Sequence, residues 1–169
     1  RIRKIYKMNV KYVKKLSNQG SYAKVYSGVL NGKKVLIKVN KDIDVDLRHE
    51  NNISKVLQKY PCGKYFSKTV QYTKMENRQV LFIEWLENFG TLYDMVDCLS
   101  KKEILNLYNH ILEILNESQR YCKFVHNDLH LNNILIVKTN QKQQKYAGNK
   151  ILPYIGYKPI LIDFGFSYC

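Results

Sequence analysis

Asp128, Asn133 and Asp163 are the residues whose types and spacing could do chemistry. The stretch "FVHNDLHLNNILI", Phe124 to Ile136, breaks an apolar run with two histidines, an aspartate and three asparagines, then turns apolar again. Asn133 follows Asp128 by five positions, and the strand-like "ILIV" starts directly after it, so the loop is pinned at its end. "LIDFGFS" repeats the plan: an apolar strand delivers Asp163, and Phe164-Gly165 follow. Two such loops can present Asp128, Asn133 and Asp163 to one spot. Hard oxygen ligands of this kind suit Mg²⁺, which binds few protein groups together with substrate phosphates. A further carboxylate can take the proton from an attacking hydroxyl.

The elements that must hold these loops are legible from periodicity. "MNVKYVKKL", "AKVYSGVL" and "KKVLIKV" read as three strands, rich in β-branched and aromatic residues. Asn31-Gly32 joins the second and third as a tight hairpin, because both residues tolerate positive φ. "VDLRHENNISKVLQKY" carries a helical stripe of Leu47, Ile53, Val56, Leu57 and Tyr60, closed by Pro61 and Gly63. "KTVQYTKM" and "QVLFIEWL" form a second strand pair around the polar turn "ENR". Beyond Gly90 the pattern becomes helical. Ser100 and Glu103 make a capping box ahead of "ILNLYNHILEIL". Ile104, Leu107, Tyr108, Ile111 and Leu115 mark one face of that helix, and Leu112 and Ile114 widen it, so the helix is expected to be largely buried. "TNQKQQKYAGN" is polar and of low complexity and reads as a surface loop.

Composition bounds the function classes. The chain has 169 residues, 45% hydrophobic and 12% aromatic, which suits one domain or two small lobes rather than disorder. No apolar run reaches membrane-spanning length, and the basic N-terminus lacks the apolar core of a signal peptide. The four cysteines, 62, 98, 122 and 169, form no CxxC and have no histidine at metal-ligand spacing, so they read as free thiols in a reducing compartment. The formal net charge of +14 fits an anionic partner, such as a nucleotide, a nucleic acid or an acidic protein, and equally a solvated lysine-rich surface. No zinc-finger, RRM or basic-helix signature supports a nucleic-acid module.

"HNDLHLNN" followed by "IDFG" resembles the protein-kinase signature H-R-D-L-x-x-x-N then D-F-G. The resemblance implies that Asp128 orients and deprotonates the acceptor hydroxyl, that Asn133 and Asp163 hold Mg²⁺, and that His126 braces the loop. "LSNQGSYAKVY" stands where kinases carry their Gly-rich loop. Gly20 is retained, Asn18 and Ala23 replace glycines, Tyr22 takes the aromatic position, and Val25 fits the residue covering the adenine. "VLIK" nominates Lys38 as the α/β-phosphate ligand, with Glu50 of the next helix as its partner. "VLFIEWLENFGTL" resembles the hinge: Ile83 beside the adenine, with backbone groups of Glu84 and Leu86 on its edge. The likeness runs from Val10 to Tyr168 with every element in order. The fold class it implies is α+β, a two-lobed protein-kinase-like fold. Residues 1–86 would form an antiparallel sheet plus one helix, and residues 87–169 the hinge and a partial, mainly helical lobe.

The departures define the alternatives. Asn127 replaces the Arg that commonly pairs with a phosphorylated activation loop, so activity is expected not to need that phosphorylation. His130 stands where protein kinases usually carry a Lys touching the transferred phosphate, and it can donate to phosphate. "NDLHxxN" is similar to the loop of aminoglycoside and choline kinases and of some atypical protein kinases. Thirty residues separate Asn133 from Asp163, and this insert, with the Lys/Asn/Tyr-rich composition, resembles kinase-like proteins of large DNA viruses. The chain ends soon after Gly165, where a kinase would continue, and reads as truncated. The implied function is an ATP-dependent, Mg²⁺-requiring Ser/Thr protein kinase acting on a protein that could be acidic. Its expected location is the host cytoplasm or the virion. A small-molecule kinase and a nucleotide-binding pseudokinase or scaffold are the rival readings.

Overall fold

A computed structural model describes residues 10–17, 23–42, 45–75, 78–87 and 89–169. The chain divides into two compact units. One comprises the described residues up to Asn52 together with Lys68–Trp85; the other is Ile53–Ser67 with Leu86–Cys169. Each is built from its own hydrophobic cluster.

The first unit is a five-stranded antiparallel sheet: β1 (Val10–Ser17), β2 (Ala23–Leu30), β3 (Lys33–Asn40), β4 (Thr69–Met75) and β5 (Arg78–Glu84), in the order β1-β2-β3-β5-β4. Leu30 pairs with Lys33 across a two-residue turn in which Asn31 and Gly32 take φ of 49° and 81°. Positive φ at both central residues matches the right-handed twist of the strands, which is why Asn-Gly closes this hairpin. Alternation along β3 buries Val35 and Ile37 with Val10, Leu30, Val80 and Phe82 on one face. Asn40 ends β3 as a buried polar peg. Its Nδ2 donates to Asp42 O at 2.7 Å and its Oδ1 accepts from Gln79 N at 2.8 Å. Helix α1 (Leu47–Leu57) gives its first turns to this unit and Ile53 and Leu57 to the core of the other.

The second unit surrounds α3 (Lys101–Cys122). The Ser100–Glu103 capping box is present, and Lys123 ends the helix in the left-handed conformation. A short helix, α2 (Leu92–Met95), is capped by Thr91. The strands β6 (Phe89–Thr91), β7 (Ile134–Lys138) and β10 (Tyr157–Leu161) form a small antiparallel sheet in the order β10-β7-β6. Leu107, Ile111 and Ile114 turn one face of α3 into a core with Phe66, Phe124, Ile136, Leu161 and Phe164. Each fully buried side chain of this size contributes about 1.5–3 kcal/mol.

Two expectations about α3 and the insert are corrected. Leu105, Tyr108 and Leu112 are exposed, so the helix is not apolar all round. Its second buried stripe is polar instead: Asn106, His110 and Glu117. The insert explains why. It folds into a hairpin, β8 (Gln143–Lys145) and β9 (Ile151–Pro153), that lies on that stripe. Asn106 donates to Pro153 O at 2.7 Å and accepts from Ile155 N at 3.2 Å. His110 bonds Pro153 O at 2.9 Å and the Tyr146 hydroxyl at 2.7 Å, and its ring stacks on Tyr154 at 4.4 Å. Glu117 accepts from Ala147 N at 3.0 Å, and Lys150 pairs with Glu113. The run is thus surface-exposed in large part yet anchored, with Tyr146 buried.

Candidate functional site

In the first unit the strand register gathers part of the expected nucleotide-binding set. Val25 lies opposite Lys38, Lys38 opposite Leu81, and Leu36 opposite Ile83. Directly opposed residues and those two apart share a sheet face. Val25, Lys38 and Ile83 therefore occupy one face, the reverse of the face that buries Val35 and Ile37. Lys38 Nζ lies 2.8 Å from Glu50 Oε2, with side-chain exposures of 13% and 3%. A lysine extended from an apolar strand cannot stay charged and buried alone, and the helical carboxylate compensates it. Glu84 ends β5, with its N–H bonded to Lys68 O, and half-buried Leu86 belongs to the second unit. Asn18, Gly20 and Tyr22 lie outside the described residues.

In the second unit the two loops around Asp128 and Asp163 are laced together. Val125 and Tyr168 exchange both backbone hydrogen bonds, at 2.9 and 3.0 Å. Ser167 Oγ donates to His126 O at 3.0 Å, and Asn127 Nδ2 to Phe166 O at 2.9 Å. Ile162 N donates to Asn133 O at 3.0 Å, extending the β7–β10 ladder by one pair. Asn133 and Asp163 thereby sit at the shared end of two adjacent strands. Beneath the loops, Phe164 packs edge-on against Phe66, Phe124 and His126 at 5.8, 6.2 and 6.0 Å. Such edge-to-face packing holds the backbone after Asp163 in place.

His126 is 4% exposed, and its Nε2–H donates to Ile162 O at 2.9 Å. Its Nδ1 is buried without a hydrogen-bond partner among the described residues. Burial depresses its pKa, against the opposing pull of the Ile162 carbonyl, Asp163 and Asp128. The ring is thus a neutral brace between the two loops. Asp163 has φ of +64° and Asn127 +61°, a region that Asp and Asn enter more readily than other side chains. At Asp163 this turn takes the chain out of the ladder just where the carboxylate is delivered.

Asn133 is 7% exposed. Its Nδ2 faces Asp128 O at 2.8 Å, His130 Nε2 at 3.1 Å and Asp128 Oδ2 at 3.3 Å. All three contacts engage the amide nitrogen, so Oδ1 is the acceptor without a partner among the described residues. Asn133 Oδ1 and the Asp163 carboxylate are both hard oxygen donors, carried at the adjoining ends of two paired strands. No group of three or more His, Cys, Asp or Glu side chains able to hold a metal occurs among the described residues. A two-donor set of this kind fits Mg²⁺, which keeps most of its shell for water and phosphate, and does not fit zinc. Asp128 and His130 are more open, with side-chain exposures of 44% and 52% and 3.9 Å between Oδ2 and Nε2. Sequence reasoning found these residues but missed Asn127, Phe166 and Ser167 as the lacing between the loops. Nothing in a linear pattern signals a side chain that bonds a backbone carbonyl 39 positions away.

No known family model matches the chain. It is 28% identical over 120 residues, 69% of its own length, to a protein of Invertebrate iridescent virus 3 named "Probable kinase 098L". It is 39% identical over 74 residues, 40% of its length, to "Uncharacterized protein 098R" of Invertebrate iridescent virus 6. The chain spans 22% and 12% of the lengths of these two relatives. No helix among the described residues is long and apolar enough to cross a membrane. An α+β chain with an antiparallel sheet unit and a helical unit is thus similar to iridovirus proteins, one of them named a probable kinase.

Proposed function

We propose that the chain carries the nucleotide- and acceptor-handling residues of an ATP-dependent phosphotransferase, with a Ser or Thr hydroxyl of a protein as the acceptor. The observation that carries this reading is the junction of the two loops. Asn133 bonds Asp128 through its side chain and Ile162, next to Asp163, through its backbone. The similarity to a viral protein named a probable kinase adds support.

Phosphoryl transfer needs little covalent help from a protein; positioning and charge stabilisation do most of it. Lys38, held by Glu50, would bind α/β-phosphate oxygens. Val25 and Ile83 would wall the adenine, and backbone groups of Glu84 and Leu86 would take its polar edge. Asn18, Gly20 and Tyr22 would belong to the loop covering the phosphates. Asn133 Oδ1 and Asp163 would hold Mg²⁺, which when bound neutralises phosphate charge. Asp128 would align the acceptor hydroxyl and accept its proton.

Asp128→Asn is expected to abolish radiolabelled phosphate transfer from ATP while leaving nucleotide binding nearly intact. Transfer that survives this change rules the assignment out. His130 in the D-L-H-x-x-N loop favours a second reading with a small-molecule acceptor. An acceptor screen of proteins against aminoglycosides, choline and sugars separates the two. Binding of Mg·ATP without turnover on any acceptor would leave a nucleotide-binding scaffold.

A further inference from the structure

We infer that His130 is a positioning residue: its Nε2 accepts the second N–H of Asn133, in the neutral tautomer protonated at Nδ1, and so keeps that N–H off the Asp128 carboxylate. The catalytic consequence rests on the phosphotransferase reading; the hydrogen bond itself rests on geometry.

Asn133 Nδ2 carries two protons and meets three acceptors. The Asp128 carbonyl at 2.8 Å takes one. The other is left to His130 Nε2 at 3.1 Å or Asp128 Oδ2 at 3.3 Å. The choice has chemical weight. An N–H donated to Asp128 Oδ2 occupies an acceptor position on that oxygen. An Asp that must receive the hydrogen bond of an acceptor hydroxyl then has one position fewer to offer it. An imidazole nitrogen that engages the amide leaves Asp128 Oδ2 for the substrate.

The tautomer follows from what each nitrogen faces. An amide N–H offers a proton and no lone pair, so the 3.1 Å approach is attractive only when Nε2 is unprotonated. In the neutral ring the proton then sits on Nδ1. The competing tautomer would let Nδ1 accept from Asn132 N at 3.3 Å and turn Nε2–H towards Asp128 Oδ2 at 3.9 Å. Both of those contacts are longer. Asn132 is also exposed, so water can take its N–H, whereas Asn133 is buried. Depriving a buried donor of its acceptor is the costlier outcome. The same bond keeps Asn133 Oδ1 as the side of the amide offered to a cation. A lysine at position 130 has only donors and cannot make this contact.

The test is long-range ¹H–¹⁵N correlation on the full chain labelled at histidine, at a pH where the imidazoles are neutral. His130 is assigned by the signals lost in His130→Gln. The expected pattern is an unprotonated Nε2 and a protonated Nδ1; the opposite tautomer overturns the inference. Kinetics supply a second arm. His130→Gln keeps an acceptor oxygen and is expected to hold kcat within about twofold. His130→Ala and His130→Lys lower kcat by about tenfold at an unchanged KM for ATP. Equal kcat in all three overturns the positioning role. A wild-type chain with no turnover would defeat the phosphotransferase reading alone, because the tautomer measurement still decides the hydrogen bond.

Discussion

Lys38 and Glu50 form a 2.8 Å ion pair in which the carboxylate is 97% withdrawn from solvent by its 3% side-chain exposure. Breaking one side leaves a buried charge, which costs more than the pair itself contributes. Lys38→Met is expected to destabilise the chain by about 3 kcal/mol in urea unfolding, and Lys38→Met with Glu50→Leu by less. A double variant weaker than the single one would show that the pair is not the buried unit described.

Asp163→Asn retains a side chain that tolerates the +64° φ, so the fold is expected to survive with an unchanged melting temperature. The Mg²⁺-dependent part of any nucleotide-induced thermal shift is expected to vanish, because an amide oxygen binds a hard cation less strongly than a carboxylate. A Mg²⁺-dependent shift as large as in the wild type would remove Asp163 from the metal set.

The insert hairpin is anchored by Asn106, which both donates to Pro153 O and accepts from Ile155 N. Asn106→Ala deprives both backbone groups and is expected to cost about 2 kcal/mol. Proteolysis within 139–150 is expected to accelerate, since the hairpin then opens locally. Unchanged cleavage would mean that the apolar contacts of Tyr146 and Leu152 suffice.

His110 and His126 make stability depend on pH. Burial lowers the pKa of both below the ordinary histidine value of 6.5. The unfolded chain therefore takes up protons first as pH falls. Their contribution is full above about pH 6.5 and is lost progressively below it, until the native rings also protonate. The urea midpoint is expected to drop on acidification through this window, and to drop less steeply in His110→Gln. Parallel slopes for the two proteins would count against His110 as a source.

Asn127 donates a neutral amide to Phe166 O, which ties down the segment after Asp163 without any phosphate. Phosphatase treatment is therefore expected to leave transfer activity unchanged, while Asn127→Ala lowers it. A large loss on dephosphorylation would assign control to a modified residue instead.

Local chemistry carried most of the elements. The Asn31-Gly32 turn, the Ser100–Glu103 box and the apolar run that delivers Lys38 each depend on a few neighbouring residues, so they were readable in the linear chain. The hairpin on α3 was not. Asn106, His110 and Glu117 look like the solvent face of an amphipathic helix until they are seen to bond partners 30 to 49 positions away. The same holds for Asn127, whose lack of charge was visible in the sequence but whose bond to Phe166 was not.

The sequence alone determined which side chains of chemical consequence exist, in what order, and that Asp128 interrupts an apolar run, Asn133 directly precedes an apolar strand and Asp163 follows one. The expected Lys38–Glu50 pair is present, but only the tertiary structure decided that Ile162 pairs with Asn133 and that Asn133 stands between Asp128 and His130. Periodicity is a property of neighbours along the chain. Which distant donor meets which acceptor is settled when burial removes water as the alternative partner.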